Sequence, residues 1–182
     1  MDTKILHPLV VEGNGLSVKN GTNRLLALKQ LGYEAVPVTF EEERKVEYRT
    51  YSHADKAQRR ELFALIGEYF ASEEIRKEFT RAMSSDDTYT WVVALDGDEV
   101  AAFGALRVPE SGKAELRHDY TLPAYRGRGI NPHMVDMRIA LAKQLGAKSI
   151  YTTIDPSRID KYPDTFKPAR RNGRWQTIRM AL

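Results

Sequence analysis

Cysteine is absent from the 182 residues, which excludes disulfides, thiol nucleophiles and cysteine-based zinc sites. No apolar run approaches the roughly 18 residues that a membrane-spanning helix requires. The opening MDTKILHPLVVEG carries too short an apolar patch for a secretory signal, so a cytoplasmic location without a membrane partner is expected. The four histidines, His7, His53, His118 and His133, are scattered without ligand spacing, and no metal is expected. The common nucleotide loops are missing too. A P-loop needs glycine, four residues and then Gly-Lys-Ser/Thr, and a dinucleotide fingerprint needs a third glycine three residues after the second.

What is present instead is YRGRGIN, Tyr125 to Asn131, between a strand-like segment and an amphipathic helix. Two glycines one residue apart in a basic turn let backbone amides approach a phosphate closely, and the helix that follows adds the positive end of its dipole. Ahead of the turn, Ala114 to Leu122 has strand character. Beyond it, Met134, Met137, Leu141 and Leu145 recur at helical spacing, with Val135 and Ile139 alongside. Asn131 reads as the helix cap and Pro132 as the first helical residue, where its missing N–H costs nothing.

The segment resembles the acetyl-CoA loop of the GNAT N-acyltransferase superfamily, Gln/Arg-x-x-Gly-x-Gly/Ala after a strand, often written Pro-x-Tyr-Arg-Gly-x-Gly-Ile. Pro123, Tyr125, Arg126, Gly127, Arg128, Gly129 and Ile130 stand in register, while Ala124 replaces the usual Gln or Arg. The resemblance implies acetyl-CoA as co-substrate, held by Thr121, Leu122, Arg126, Gly127, Arg128, Gly129, Ile130 and Asn131. It covers about residues 45–182, where the order of elements also fits. A strand over Lys45–Tyr51 precedes helices near Ala54–Phe70 and Glu73–Met83. Strands Thr88–Leu95 and Glu99–Val108 flank Asp96-Gly97-Asp98, and a third runs over Lys113–Leu122. After the loop and its helix come a strand over Lys148–Ile154, a shortened helical region over Pro156–Asp164, and a hairpin over Phe166–Met180 turning at Asn172-Gly173. The expected fold is α/β with a mixed sheet.

Residues 1–44 are too few to stand alone. Strand character over Pro8–Val18, a helix from Asn20-Gly21-Thr22 to Leu31 ended by Gly32, and a strand over Ala35–Phe40 are expected. The run LSVKNGTNRLLALKQLGYEAVPVTF is similar to the core of the ParB/sulfiredoxin-like superfamily, on Gly21, Thr22, Asn23, Arg24, Ala27, Leu31, Gly32, Val36, Pro37 and Val38. That resemblance implies a Gly-x-x-Arg turn in which Gly21, Asn23 and Arg24 hold a phosphate. Asn23 replaces the usual histidine, and the lack of cysteine excludes sulfiredoxin chemistry.

The net charge of +3 is unevenly placed: residues 161–182 hold Lys161, Lys167, Arg170, Arg171, Arg174 and Arg179 against Asp164, a net +5 that leaves −2 elsewhere. Arg170, Arg171 and Arg174 read either as a solvated hairpin face or as contacts to CoA phosphates or a polyanion.

Acyl transfer needs a neutral amine, a polarised thioester carbonyl and a proton for the departing thiolate. By the same resemblance, Glu115 is the candidate base, on the strand before the loop, following Ala114 and six residues ahead of Thr121. His118 and Asp119 compete with it, and a cross-strand salt bridge is the structural alternative. Tyr162, four residues before Phe166, is the candidate acid. The expected function is an acetyl-CoA-dependent N-acyltransferase acting by direct transfer on an amine of a nucleotide or modified DNA base. Small amines or protein lysines are the second expectation, and a non-catalytic DNA-binding module is the third. Acyl-CoA and the amine acceptor are the expected partners, and a homodimer is one state open to the chain.

Overall fold

In a computed structural model of the chain, residues 46–79 and 82–182 are described throughout, and within residues 1–45 only residue 30 and three short strands are described. The chain divides into two units, Met1–Lys45 and Val46–Leu182. In the first, β1 (Leu9–Val11) pairs antiparallel with β2 (Val18–Asn20) and parallel with β3 (Val38–Phe40). Gly21, Asn23 and Arg24, on which the expected phosphate-binding turn depends, lie outside the described residues, as does the body of the helix expected from Thr22 to Leu31.

The second unit is built on one sheet of seven strands in the order β4-β5-β6-β7-β8-β10-β9. Strands β4 (Glu47–Ser52), β5 (Tyr89–Asp96), β6 (Glu99–Arg107) and β7 (Lys113–Thr121) form an antiparallel run. β8 (Ser149–Ile154) joins β7 in parallel, and the hairpin β9 (Lys167–Asn172) and β10 (Trp175–Ala181) closes the far edge through β10. The mixed α/β architecture is the one expected.

Helices cover both faces. α1 (Lys56–Ala71) starts at Asp55, whose carboxylate accepts from the amides of Ala57 and Gln58 at 2.8 and 3.0 Å. Ser72 ends α1 and caps α2 (Glu73–Glu78), accepting from the Ile75 amide at 3.3 Å. Leu62 and Ile66 of α1 and Ile75 of α2 pack on Tyr89, Trp91, Phe103 and Tyr120. The helix expected to reach Met83 stops at Glu78 because Phe79 turns extended and sets its ring edge-on to His118, 5.6 Å between centroids. On the opposite face α3 (Ile130–Gln144) buries Ile130, Met134, Val135, Arg138 and Ala142. The region expected to be shortened is a 3-10 helix, Pro156–Lys161, opened by Asp155. At the hairpin Asn172 pairs with Trp175, so the turn residues are Gly173 and Arg174, one residue later than expected; Gly173 takes a φ of 57°.

Candidate active site

Two departures from regular pairing create the site. The parallel ladder between β7 and β8 holds only at Lys113–Ser149, Ala114–Ile150 and Glu115–Tyr151, although β7 runs on to Thr121 and β8 to Ile154. The strands part after Glu115, leaving a cleft along one backbone edge of β7. Within the same stretch β7 bulges: His118 and Asp119 stand opposite the single residue Gly104 of β6, between the Ala105–Arg117 and Phe103–Tyr120 pairs. A bulge removes one residue from the ladder and re-aims its neighbours. His118 takes a φ of 57°, a left-handed conformation that histidine tolerates better than most residues.

The bulge sends consecutive side chains to opposite faces. His118 is buried on the α1/α2 side, its ring stacked on Trp91 at 5.6 Å between centroids. Burial, with the Arg117 charge adding, pushes it down to about 4, so it is neutral near pH 7. Asp119 faces α3, where Arg138 pairs with one carboxylate oxygen and the Tyr162 hydroxyl donates to the other at 2.9 Å. Burial, and then the Asp119 charge, push the Tyr162 phenol above the usual tyrosine range, with Arg138 acting the other way. Asp119 and Tyr162, predicted in separate roles, are thus hydrogen-bonded partners. The bond reaches from the segment after β8 back to β7.

Glu115 sits on the last paired rung, where the strands part. Its side chain is 13% exposed and lies 3.9 Å from Arg117 Nε, opposite Arg107 on β6. Burial and the nearby Glu115 carboxylate raise the Tyr151 phenol. The salt bridge weighed from sequence is therefore present, on the same strand rather than across strands.

The loop beyond β7 begins with a 3-10 turn, Pro123–Tyr125. Gly127 and Gly129 take φ of 80° and 76°, and a Cβ on either would meet no atom within 4 Å. The two glycines therefore border open space, as a cradle for a phosphate requires. Helix α3 begins at Ile130 with Gly129 as its cap, and no side chain bonds the cap. This corrects the assignment of Asn131 as cap and Pro132 as first residue: the left-handed Gly129 starts the helix earlier, its carbonyl accepting from the His133 amide at 3.4 Å. Pro132 falls third, where its missing N–H is still one of the groups without an intrahelical acceptor. The amides of Ile130 and Asn131 remain available.

The other loop residues are tied to the fold. Arg126 donates to the Thr121 carbonyl at 3.0 Å and to Glu78 at 2.9 Å, and lies over the Tyr120 ring. Arg128 lies over the Tyr125 ring, 5.1 Å from its centroid. The Leu122 amide donates to the Ala101 carbonyl. Arg170 and Arg171 stand on β9, exposed along its whole length, and Arg174 covers the Trp175 ring at 4.6 Å.

Sequence reasoning did not single out Arg138 or Gly104. An arginine four residues from both Met134 and Ala142, on an otherwise apolar stripe, was the available signal.

Residues 42–160 match the acetyltransferase (GNAT) family, and the chain belongs to it. It is an acetyltransferase of the GNAT family. No curated protein sequence matches the chain. Among solved structures, an acyl-CoA N-acyltransferase from Pseudomonas aeruginosa is similar, at a TM-score of 0.56 and 17% identity over 75% of this chain and 100% of that one. The GNAT domain of PAT from S. lividans gives 0.56 and 14% over 75% and 90%. The PaiA N-acetyltransferase from Thermoplasma acidophilum, solved in complex with coenzyme A, gives 0.52 and 18% over 76% and 99%.

Proposed function

We propose that the chain transfers an acetyl group from acetyl-CoA directly to a primary amine in the cleft between β7 and β8. The observation that carries this reading is the parting of those strands directly ahead of a loop with two left-handed glycines and an uncapped helix N-terminus. Acetyl-CoA supplies an activated thioester. The amides from Gly127 to Asn131 receive its diphosphate, the Arg126 amide being donated to the Pro123 carbonyl, and the free edge of β7 offers backbone partners to the amides of its pantetheine arm. The backbone at the His118–Asp119 bulge lies outside the regular ladder and supplies an N–H to the thioester carbonyl, where negative charge develops.

An alkylammonium with a pKa of about 10.4 is almost wholly protonated at pH 7, so a base must take its proton. Glu115 is assigned that role, with the proton reaching it along β7 through a chain of waters. The amine nitrogen bonds to the acyl carbon, the carbon–sulfur bond breaks, and the sulfur leaves with the bonding pair. Tyr162 turns its hydroxyl hydrogen from Asp119 to that sulfur, gives it the proton and regains one from solvent, while the proton taken by Glu115 is released. Asp119, committed to Arg138 and Tyr162, takes the supporting role.

For the acceptor, a cationic small amine or a lysine side chain is supported by a cavity of about 350 Å³ beside the end of β7, lined by Glu68, Tyr69, Glu74, Tyr120 and Leu122. Carboxylates and phenol rings together suit an alkylammonium. An amine carried on a nucleotide or DNA base is the second reading, supported by the exposed Lys167, Arg170 and Arg171 of β9. A mass-spectrometric screen with [acetyl-13C]acetyl-CoA against diamines, lysine peptides, aminated nucleosides and DNA tests both. The first reading predicts labelled diamine or peptide. The second predicts labelled nucleoside or DNA, with log affinity for B-form DNA falling against log salt by roughly 0.9 per phosphate engaged. No labelled acceptor of any class contradicts the proposed activity.

A further inference from the structure

Helix α3 turns one charged residue toward the sheet. Arg138 is fully buried; its Nε donates to the Met134 carbonyl at 3.0 Å and its Nη1 to the Ala105 carbonyl at 3.2 Å, while Nη1 also pairs with Asp119. Its Nη2 is buried without a hydrogen-bond partner among the described residues. Gly104, opposite the bulge, faces the same pair: a Cβ there would lie 2.7 Å from both Arg138 Nη1 and Asp119 Oδ1. The ion pair occupies the space that a side chain at residue 104 would need.

A buried ion pair is a poor stabiliser, since desolvation opposes its attraction and an apolar replacement is often as stable. A guanidinium that leaves one nitrogen unbonded is worse placed still. Stability alone does not account for an arginine here, but its position does. Asp119 is one of the two bulge residues, and its second oxygen receives the Tyr162 hydroxyl from the far side of the cleft. Fixing Asp119 therefore fixes that hydroxyl where β7 and β8 part.

We infer that Arg138 is a positioning residue for acyl transfer, holding Asp119 in the bulge and, through Asp119, the hydroxyl of Tyr162 at the cleft, with Gly104 keeping the space that the pair needs. The inference rests on the acyl-transfer reading above. The groups facing the hydroxyl are Asp119 from β7, Arg138 from α3 and Thr152 from β8, with Phe166 against the ring. With the carboxylate pinned, the phenol has one place to stay. Without Arg138, Asp119 is free to turn and the hydroxyl loses its anchor.

The test compares Arg138→Met, Arg138→Lys, Gly104→Ala and Tyr162→Phe, and each of the first three combined with Tyr162→Phe. Release of CoA thiol is followed with spermidine, a lysine peptide and an aminated nucleoside offered in turn, and acetyl-CoA affinity is measured separately by calorimetry. Gly104→Ala displaces the pair without removing either of its members, so it stands in if Arg138→Met does not fold. The expected result is a loss in kcat of about tenfold or more for Arg138→Met and Gly104→Ala, partial recovery in Arg138→Lys, and acetyl-CoA affinity within about threefold of native. Adding either change to Tyr162→Phe should cost nothing further, because residues acting as one unit are not additive. Losses that multiply with Tyr162→Phe, or an unchanged kcat in a folded Gly104→Ala, overturn the positioning role while acyl transfer stands. A native protein that transfers no acyl group to any acceptor overturns both.

Discussion

At the scale of single residues, the bulge of β7 turns Asp119 away from the two side chains that precede it in sequence. Arg117 and His118 both lie on the α1/α2 side and Asp119 on the other, so three consecutive polar residues reach different chemistry. Asp119 is held by Arg138 and Tyr162, and Glu115, which lies 3.9 Å from Arg117, is the carboxylate proposed for proton removal. Glu115→Gln should lower kcat by about 100-fold or more at pH 7, with the deficit growing as pH falls and the amine becomes more protonated. Acetyl-CoA affinity should be unchanged. A native pH–rate profile in Glu115→Gln would move the base to another group. His118 gives a second residue-scale expectation. In the folded chain it is pushed down to about 4, below the ordinary histidine value of 6.5, so the unfolded chain takes up a proton first as pH falls. Stability is full above about pH 6.5, declines between about 6.5 and 4, and levels off below, a loss on the order of 3 kcal/mol. Denaturant unfolding at pH 7 and pH 4.5 measures it. His118→Asn, which also tolerates the left-handed backbone, should lose less between those two values; an equal loss assigns the pH dependence elsewhere.

At the scale of elements, the glycine loop and the strand–loop–helix order were legible because each rests on local chemistry. Gly127 and Gly129 need left-handed φ, Gly97 closes the Asp96–Glu99 turn, and the apolar spacing from Met134 onward marks α3. The split between β7 and β8 was not legible from spacing, because ladder length depends on where a distant strand departs. The same holds for the bulge, which is set by Gly104 meeting Asp119 and Arg138 from three elements. Tyr162 was identified by its place in the sequence, but its partner Asp119 stands 43 residues away, and no local pattern carries that pairing. Glu78, at the end of α2, bonds Arg126 of the loop and lies 3.7 Å from Arg158 of the 3-10 helix, joining three elements around the cleft. These are partly exposed pairs, each contributing about 1 kcal/mol or less. Glu78→Ala should therefore shift the unfolding midpoint only slightly. A loss above about 2 kcal/mol would mean that this tie organises the fold.

At the scale of the whole molecule, charge follows the sheet. The outer strand β9 is exposed throughout and carries Lys167, Pro168, Arg170 and Arg171, residues that discourage edge-to-edge pairing and leave a basic face. The cavity beside the other half of the sheet is acidic. On the proposed reading the acidic cavity supports cationic acceptors, whereas sequence alone favoured the nucleic-acid-linked amine through the basic tail and the N-terminal segment. The loop after β7, with its two left-handed glycines, is the proposed acyl-CoA cradle. Calorimetric titration of acetyl-CoA into the native protein and into Gly129→Val tests it most directly. A β-branched side chain at a φ of 76° strains the cradle whatever the space around it. The account predicts native binding and a dissociation constant raised tenfold or more in the folded variant, about 1.4 kcal/mol. Equal affinity in a folded Gly129→Val, or no binding by the native protein, would contradict it.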